Sequence, residues 1–365
     1  MVKRERFPAM LLTAALVLAS AGPVLSGPWE DTLQAAKKEG TVSVIASVGS
    51  DYRQVLTLPF EKKYGLQVEY IGMLGSAQAA RVFRERRAGK YLWDVFVQGT
   101  STALIFMKPA GALDPIEPAL LLPEVTDGKN WQGGRLTYAD KDHYNVLFGL
   151  VTRPAFAINT NLVKAEEFTS FRDLLDPRWK GKIIVGRDPR GPGPGQSIFT
   201  FFLMNPKLGP EFIRALMKQD LTILRNDRQA LDMLAQEKFS ILLGPAETVT
   251  SDLAKVGVPI RMVPPQNLAE GGPLSPGPAT LMLVNRAPHP NAARVYINWL
   301  LSKEGQTEFT KVTGIPSLRV DAPRDHIESW RFPMENGTAT YTEEAIGVKD
   351  SLLALLKEVI GPRGR

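Results

Sequence analysis

Hydroxyl and amide side chains occur in four glycine-containing loops, each placed where a predicted strand gives way to a predicted helix. Backbone N–H groups at a helix N-terminus carry partial positive charge and lack partners within the helix, so such loops favour an anion. The pattern therefore predicts a binding site for a small anionic solute. The residues expected to contact the ligand from these loops are Ser47, Ser50, Ser76, Thr100, Ser101, Gln196 and Ser197.

Two arginines could supply fixed positive charge to the same site. Arg153 lies in a long extended segment, and Arg187 follows a predicted strand. Guanidinium groups form paired hydrogen bonds with carboxylates and phosphates, so the expected ligand is a carboxylate, a phosphorylated or phosphonate compound, or an anion-chelated metal. The alternative is that the glycines form tight turns, the arginines pair with Asp188 or other surface acids, and the ligand is neutral.

Catalytic motifs are missing from the sequence. It contains no G-x-S-x-G nucleophile elbow, no G-x-x-x-x-G-K-[ST] phosphate loop and no H-E-x-x-H zinc motif. Its three histidines, His143, His289 and His326, lack metal-ligand spacing, and it has no cysteine. We therefore predict a protein that is not an enzyme and that needs no cofactor and no resident metal.

The positive charge of the chain does not indicate a nucleic-acid surface. The formal net charge is +6, and the densest basic stretch, at residues 84–87, contains Glu85 and no aromatic residue. We predict a monomer that binds a small molecule and no nucleic acid.

The N-terminus has the order of regions typical of a secretory signal peptide, which we place at residues 1–26. Three of the residues 3–6 are basic, and an apolar stretch follows over residues 9–21. That stretch is shorter than the ~20 residues that span a bilayer, and no cysteine follows it for lipid attachment. We expect a free periplasmic protein. Two cleavage sites are possible, one after the small residues near Ala21 and one after those near Ser26.

Strands and helices are predicted to alternate in the first part of the chain. The β-branched stretch 41–48 and the stretches 66–71 and 93–97 predict strands, and helices are expected at 59–64 and 77–88. This order is typical of an α/β fold with a mostly parallel sheet and binding loops at the strand ends.

A second α/β pattern follows an extended apolar segment at residues 144–158. A stretch rich in Pro and Gly, 259–278, then precedes a predicted strand at 279–284. The chain, at 365 residues, is long enough for two hydrophobic cores. We predict a first lobe from residues 27–152 and 278–300, a second lobe from 153–277, and a C-terminal helical segment, 301–365, that packs across the lobes.

Seven short sequence patterns occur between about residues 30 and 320. They are G-T-V at 40–42, F-E-K-K-Y-G at 60–65, W-D-V at 93–95, F-A-I-N-T at 156–160, L-L-D-P-R-W-K-G-K at 174–182, P-H-P-N-A-A at 288–293 and L-S-K-E-G-Q at 301–306. Together and in this order they resemble the extracellular solute-binding proteins of ferric-iron-type ABC uptake systems, the family 1 solute-binding proteins.

The resemblance implies a type II periplasmic-binding-protein fold, in which two α/β lobes joined by crossing strands close on a ligand like a hinged trap. It implies the periplasmic solute-binding component of an ABC import system, with the permease subunits as its protein partner. The alternative is a periplasmic ligand-sensing subunit that docks on a receptor and shares this fold.

The resemblance also implies a ligand-contacting loop after the predicted strand at 239–243. Members that bind iron carry adjacent tyrosines there, whereas this loop reads G-P-A-E-T at 244–248. Glu247 and Thr248 are therefore candidate ligand contacts, and direct binding of ferric ion is not expected. Binding of iron through a chelator or through other carboxylates remains an alternative.

Overall fold

The computed structural model describes residues 27–360, except residues 74 and 192, and the side chains of Ser76 and Thr248 also lie outside the described part. The predicted signal peptide falls on residues 1–26 and so lies outside the described residues. Within residues 27–360, no helix combines the length and the apolar character needed to cross a membrane.

Helices and strands alternate along most of the chain. The strands are β1 (Thr41–Ala46), β2 (Gln67–Gly72), β3 (Val95–Val97), β4 (Leu113–Asp114), β5 (Thr137–Tyr138), β6 (Val146–Leu147), β7 (Val151–Thr152), β8 (Phe156–Asn159), β9 (Ile183–Val185), β10 (Thr222–Ile223), β11 (Ile241–Leu243), β12 (Ile260–Val263), β13 (Pro273–Ser275), β14 (Thr280–Val284) and β15 (Thr338–Ala339). The α-helices are α1 (Pro28–Glu39), α2 (Ser50–Tyr64), α3 (Gly75–Arg87), α4 (Pro123–Thr126), α5 (Pro194–Met204), α6 (Gly209–Met217), α7 (Asp227–Ala235), α8 (Glu247–Lys255), α9 (Pro290–Leu301), α10 (Lys303–Thr313), α11 (Glu343–Gly347) and α12 (Lys349–Ile360).

The first sheet has seven strands in the order β2-β1-β3-β14-β6-β5, with β4 paired to β14. Strand β1 is parallel to β2 and β3, whereas β14 is antiparallel to β3. Residues 42–46 of β1 are all buried, as expected for a strand covered by helices on both faces. The sheet therefore forms the centre of one hydrophobic core, which also includes most of α9.

The second sheet has five strands in the order β10-β9-β11-β8-β12. Successive side chains of a strand point to opposite faces, and β9 follows this rule. Ile183 and Val185 belong to a core on one face together with α5, and Ile184 belongs to a separate cluster on the other face.

A third sheet of three short strands, β15-β13-β7, lies where the chain passes between the two larger sheets. Strand β7 precedes β8 of the second sheet, and β13, which pairs with β7, precedes β14 of the first sheet. The chain therefore leaves the first sheet and returns to it through neighbouring strands. The residue boundaries of the two lobes stay a prediction.

The C-terminal segment contacts both larger cores. Phe309 of α10 is buried in the first core, and Leu352 and Leu356 of α12 are buried in the second. Between them, Glu343 of α11 accepts a hydrogen bond from Lys108, whose Nζ lies 3.0 Å away. The C-terminal segment thus connects the hydrophobic cores of the two large sheets, in addition to the crossing strands.

Two elements differ from their sequence predictions. The helix expected over 59–64 begins at Ser50, so Pro59 lies inside α2, where it removes a backbone donor. Packing of the buried Val55, Leu56 and Phe60 against the first core offsets that cost. The loop expected at 99–101 gives way at Thr100 to a helical turn that continues as a π-helix over residues 102–107.

Candidate ligand-binding cleft

Arg153 lies on the short connection between β7 and β8, at the crossing between the sheets. Its backbone N–H donates to the carbonyl oxygen of Pro273, at 2.9 Å. Its guanidinium packs against Gly277, where a Cβ would lie 2.7 Å from Nη2 of Arg153, and the positive φ of 56° at Gly277 favours glycine. The backbone of the return segment therefore leaves space for this cation.

The N-termini of α5 and α8 meet on the second-sheet side of Arg153. Gly244 before α8 packs so closely on the backbone of Pro194 in α5 that a Cβ at position 244 would lie 2.7 Å from the Pro194 carbonyl oxygen. Gly244 also has a positive φ of 61°, which favours glycine. The two helices consequently present their first turns, with their unpaired N–H groups, to one space.

That space is a cavity of about 460 Å³. Its lining includes Arg153 and Pro154 from the crossing, Pro194 and Ser197 from α5, Glu247 from α8, and Ser275 from β13. A second cavity of about 420 Å³ shares Arg153 and Glu247 with the first. Its other lining residues include Tyr52 of α2, Lys311 of α10, Ile315, His326 and Arg331. Together the two cavities form a cleft that is divided by the pair Arg153–Glu247.

Glu247 is held by two arginines. Its Oε1 lies 2.5 Å from Nη1 of Arg153, and its Oε2 lies 3.5 Å from Nη1 of Arg331. The exposed fractions of the three side chains are 16% for Glu247, 28% for Arg153 and 17% for Arg331. The triad carries one net positive charge when all three groups are ionised.

Burial lowers the pKa of Arg153, and the neighbouring Glu247 carboxylate raises it by more, so this pKa lies above its ordinary value. In contrast, burial raises the pKa of Tyr52, and the nearby charge of Arg153 opposes this rise only in part. Arg153 is therefore a permanent cation, and Tyr52 is a neutral phenol that can donate or accept a hydrogen bond.

Three of the residues predicted from the sequence come together in the first cavity, namely Arg153, Ser197 and Glu247. Arg187 is placed differently, since its guanidinium pairs with Asp227 and its side chain runs along Gly193. Asp188, the partner considered from the sequence, pairs with Arg190 instead.

The other predicted contacts whose side chains the structure describes are Ser47, Ser50, Thr100, Ser101 and Gln196, and they line neither of the two cavities. Ser47 donates to Oε1 of Gln98, at 3.2 Å, and Ser50 donates to Asp51, at 3.1 Å. Thr100 is buried, whereas Ser101 is exposed. Gln196 lies in the first turn of α5, beside Ser197. The side chains of Ser76 and Thr248 lie outside the described residues.

Several residues of the cleft were missed from the sequence. Tyr52 was assigned to no element, because α2 was predicted to begin later in the chain. Arg331 lies in a 3₁₀ turn, Ser329–Arg331, in a stretch without periodicity. Its Nε donates to the carbonyl oxygen of Gly314, at 3.0 Å, and this contact places its guanidinium beside Glu247. No sequence motif could have identified it.

Among the residues that the structure describes, Asp140, Asp142 and Glu343 form a cluster of acids with the geometry to hold a metal ion. Nζ of Lys108 lies 2.8 Å from Asp140, 2.8 Å from Asp142 and 3.0 Å from Glu343. Burial lowers the pKa of Lys108, and its hydrogen bonds to these carboxylates raise it to well above its ordinary value. An ammonium group therefore already meets the negative charge of this cluster.

Two sheets with their surrounding helices are joined through short crossing strands, and a cleft lies at the crossing. This is the architecture of a two-lobed binding protein. The chain belongs to the family of bacterial extracellular solute-binding proteins, whose family model matches residues 56–331. The resemblance inferred from the seven sequence patterns and the predicted two-lobed α/β fold are both confirmed.

Among curated proteins, the chain is similar to a spermidine/putrescine-binding periplasmic protein of Haemophilus influenzae, with 26% identity over 207 residues. That match covers 51% of each chain, so it spans about half the length of the curated relative.

Solved structures match over a greater length. A Trichodesmium IdiA (FutA) protein in complex with iron and citrate has a TM-score of 0.65 and 20% identity. The periplasmic binding protein AfuA of Actinobacillus pleuropneumoniae, with bound fructose-6-phosphate, has a TM-score of 0.64 and 18% identity. Each match covers 88% of this chain and 99% of the other. At these identities the likeness establishes the fold.

Proposed function

We propose that the chain is the periplasmic solute-binding component of an ABC import system and that it binds its ligand in the cavity between α5, α8 and Arg153. The signal peptide at residues 1–26 exports it, the permease subunits are its protein partner, and it carries out no turnover. The family of extracellular solute-binding proteins supports the role, and the position of Arg153 at the crossing between the sheets supports the site.

The size and lining of the cavity suit a small solute. Its volume of about 460 Å³ falls within the range of ~300–1,000 Å³ that is usual for small-molecule sites. Apolar walls from Pro154, Ile198 and Val249 surround a few polar groups, including the Ser197 hydroxyl. Such a lining buries a ligand while a small number of hydrogen bonds orient it.

The ligand that we propose is an anion, as a carboxylate, a phosphate ester or an anionic metal chelate. The observation that carries this proposal is the guanidinium of Arg153 beside the first turns of two helices, α5 and α8. The Trichodesmium and Actinobacillus structures are described with citrate and with fructose-6-phosphate, which are both anions. The spermidine/putrescine-binding relative makes a polyamine the necessary comparison.

A thermal-shift screen of the purified protein tests the ligand class. The panel contains citrate, inorganic phosphate, fructose-6-phosphate, ferric citrate, neutral sugars, spermidine and thiamine. A ligand at a hundred times its Kd stabilises the folded state by about 2.7 kcal/mol, which gives a readily measured rise in the melting temperature. We expect an anion to produce this rise.

Two variants locate the site. Arg153→Met and Ser197→Ala should each reduce the rise, whereas Arg228→Met, which removes an exposed arginine paired with Asp232, should leave it unchanged. A polyamine or a neutral sugar that raises the melting temperature when no anion does would contradict the proposed ligand class. An anion whose effect is the same in all three variants would contradict the proposed site.

A further inference from the structure

Glu247 is a carboxylate placed between two cations at the centre of the cleft. The arginines that hold it come from different parts of the fold, since Arg153 lies on the crossing and Arg331 lies in the C-terminal segment. Glu247 itself is the first residue of α8, where a negative charge also favours the helix dipole. Its carboxylate thus occupies donors that would otherwise face the cavities.

Other charged side chains of both signs line the second cavity, but none of them pairs with Arg153 or Arg331. Lys311, His326, Glu328 and Tyr52 line the second cavity with the two guanidiniums. Among the ion pairs of the described residues, Glu247 is the carboxylate that both Arg153 and Arg331 contact. Without its charge, two guanidiniums would stand in the cleft with no carboxylate partner from the described residues.

We propose that Glu247 is an internal anion that occupies Arg153 and Arg331 in the absence of ligand, and that a ligand oxyanion must displace it to bind. This inference rests on the proposed function and assigns Glu247 a role in selectivity. A carboxylate or phosphate gains two guanidinium contacts only by breaking the internal ones. Glu247 therefore lowers the affinity of the cleft for every anion. It excludes those anions whose contacts with the two arginines are weaker than the contacts of Glu247.

The opposite reading makes Glu247 the direct partner of a cationic ligand. The geometry favours the internal-anion role, because a bound cation would have to share Glu247 with two guanidiniums, and the triad already carries a net positive charge. The two readings predict changes of opposite sign when the charge of Glu247 is removed. This difference makes them separable with a single substitution.

The test is isothermal titration calorimetry of the full chain and of Glu247→Gln with citrate, inorganic phosphate and spermidine at low ionic strength, where charge effects are least screened. Glutamine keeps the shape of the side chain and removes its charge. We expect Glu247→Gln to bind citrate or phosphate at least about tenfold more tightly, a change of about 1.4 kcal/mol.

Two further variants serve as controls. Glu166→Gln removes the same charge from a side chain that is 74% exposed and pairs with Arg261 instead of an arginine of the triad, so anion affinity should stay within about twofold. Arg331→Met leaves Glu247 bound to Arg153 alone and should weaken anion binding, independently of how well Glu247→Gln folds.

The inference is overturned if Glu247→Gln binds neither anion more tightly than the unaltered chain, or if the unaltered chain binds spermidine and the variant loses that binding. Either result leaves the proposed function standing when some ligand of the panel still binds and compacts the unaltered protein. The proposed function fails on a different result, namely that every solute that binds does so outside the cleft.

Discussion

Arg319 is a charged side chain with 1% of its surface exposed, and the surrounding structure satisfies its donors. Nε and Nη2 donate to the two carboxylate oxygens of Asp321, at 2.9 and 3.0 Å. Nη1 donates to the carbonyl oxygens of Glu124 and Leu301, at 2.9 and 3.1 Å. The guanidinium thus ties the segment that follows α10 to the first core.

Asp321→Asn should lower the free energy of unfolding by about 1–3 kcal/mol, because the buried Arg319 guanidinium then keeps only the more distant carboxylate of Glu124, at 3.5 Å. The partial exposure of Asp321, at 31%, keeps the loss below that of a fully buried pair. Urea denaturation measures it. Asp325→Asn removes an exposed carboxylate of the same segment and should change stability by less than about 0.5 kcal/mol.

The same pair predicts a dependence on pH. The hydrogen bonds from Arg319 lower the pKa of Asp321. A carboxyl group with a lowered folded-state pKa stabilises the protein above its unfolded pKa, about 3.9, and this contribution is lost as the pH falls through the folded value. The difference in stability between the unaltered chain and Asp321→Asn should therefore shrink below about pH 4. A constant difference from pH 7 to pH 3 would contradict this assignment.

At the scale of single elements, α12 illustrates what periodicity predicts well. The spacing of Leu352, Leu353, Leu356 and Val359 predicts an apolar stripe, and the structure buries Leu352 and Leu356 fully in the second core. Leu353 is only half-buried, and Leu355 is buried in its place. The period fixes which face of the helix is apolar, whereas the neighbouring helices decide where that face ends.

Leu356→Ala should lower the free energy of unfolding by about 2–5 kcal/mol, because it opens a cavity where α12 meets the second core. Leu353→Ala provides a matched control, and we expect it to cost less than half as much. Thermal unfolding followed by calorimetry measures both. Equal losses would mean that α12 does not use this face to pack on the core.

Helix α2 illustrates where local reasoning failed. Proline commonly marks the start of a helix, and the sequence indicated a start at Pro59. The helix begins at Ser50 because its buried apolar face gains more from the first core than Pro59 costs. This error concealed Tyr52, which α2 carries into the cleft.

At the scale of the whole molecule, the two large sheets are linked by short strands and by the C-terminal segment. Strand β7 has two residues and β13 has three, and these strands pair with each other between the sheets. Short connections of this kind allow two rigid bodies to rotate about a hinge. A ligand that contacts both sides of the cleft stabilises the closed arrangement over the open one.

Small-angle X-ray scattering should therefore give a smaller radius of gyration when a ligand from the thermal-shift screen is present at saturation. Arg153→Met at the same ligand concentration serves as the control and should keep the radius of the ligand-free protein. An unchanged radius in the unaltered, saturated protein would contradict hinge closure.

The sequence by itself determined the α/β class, the order of most elements, the seven family patterns and the resemblance that the family match confirms. These features depend on residues that are close together in the chain, where periodicity and local motifs carry the information. Only the tertiary structure decided which polar residues meet. Glu247 lies 94 positions from Arg153 and 84 from Arg331, and it joins them because crossing strands and the C-terminal segment bring three separate parts of the chain to one cleft.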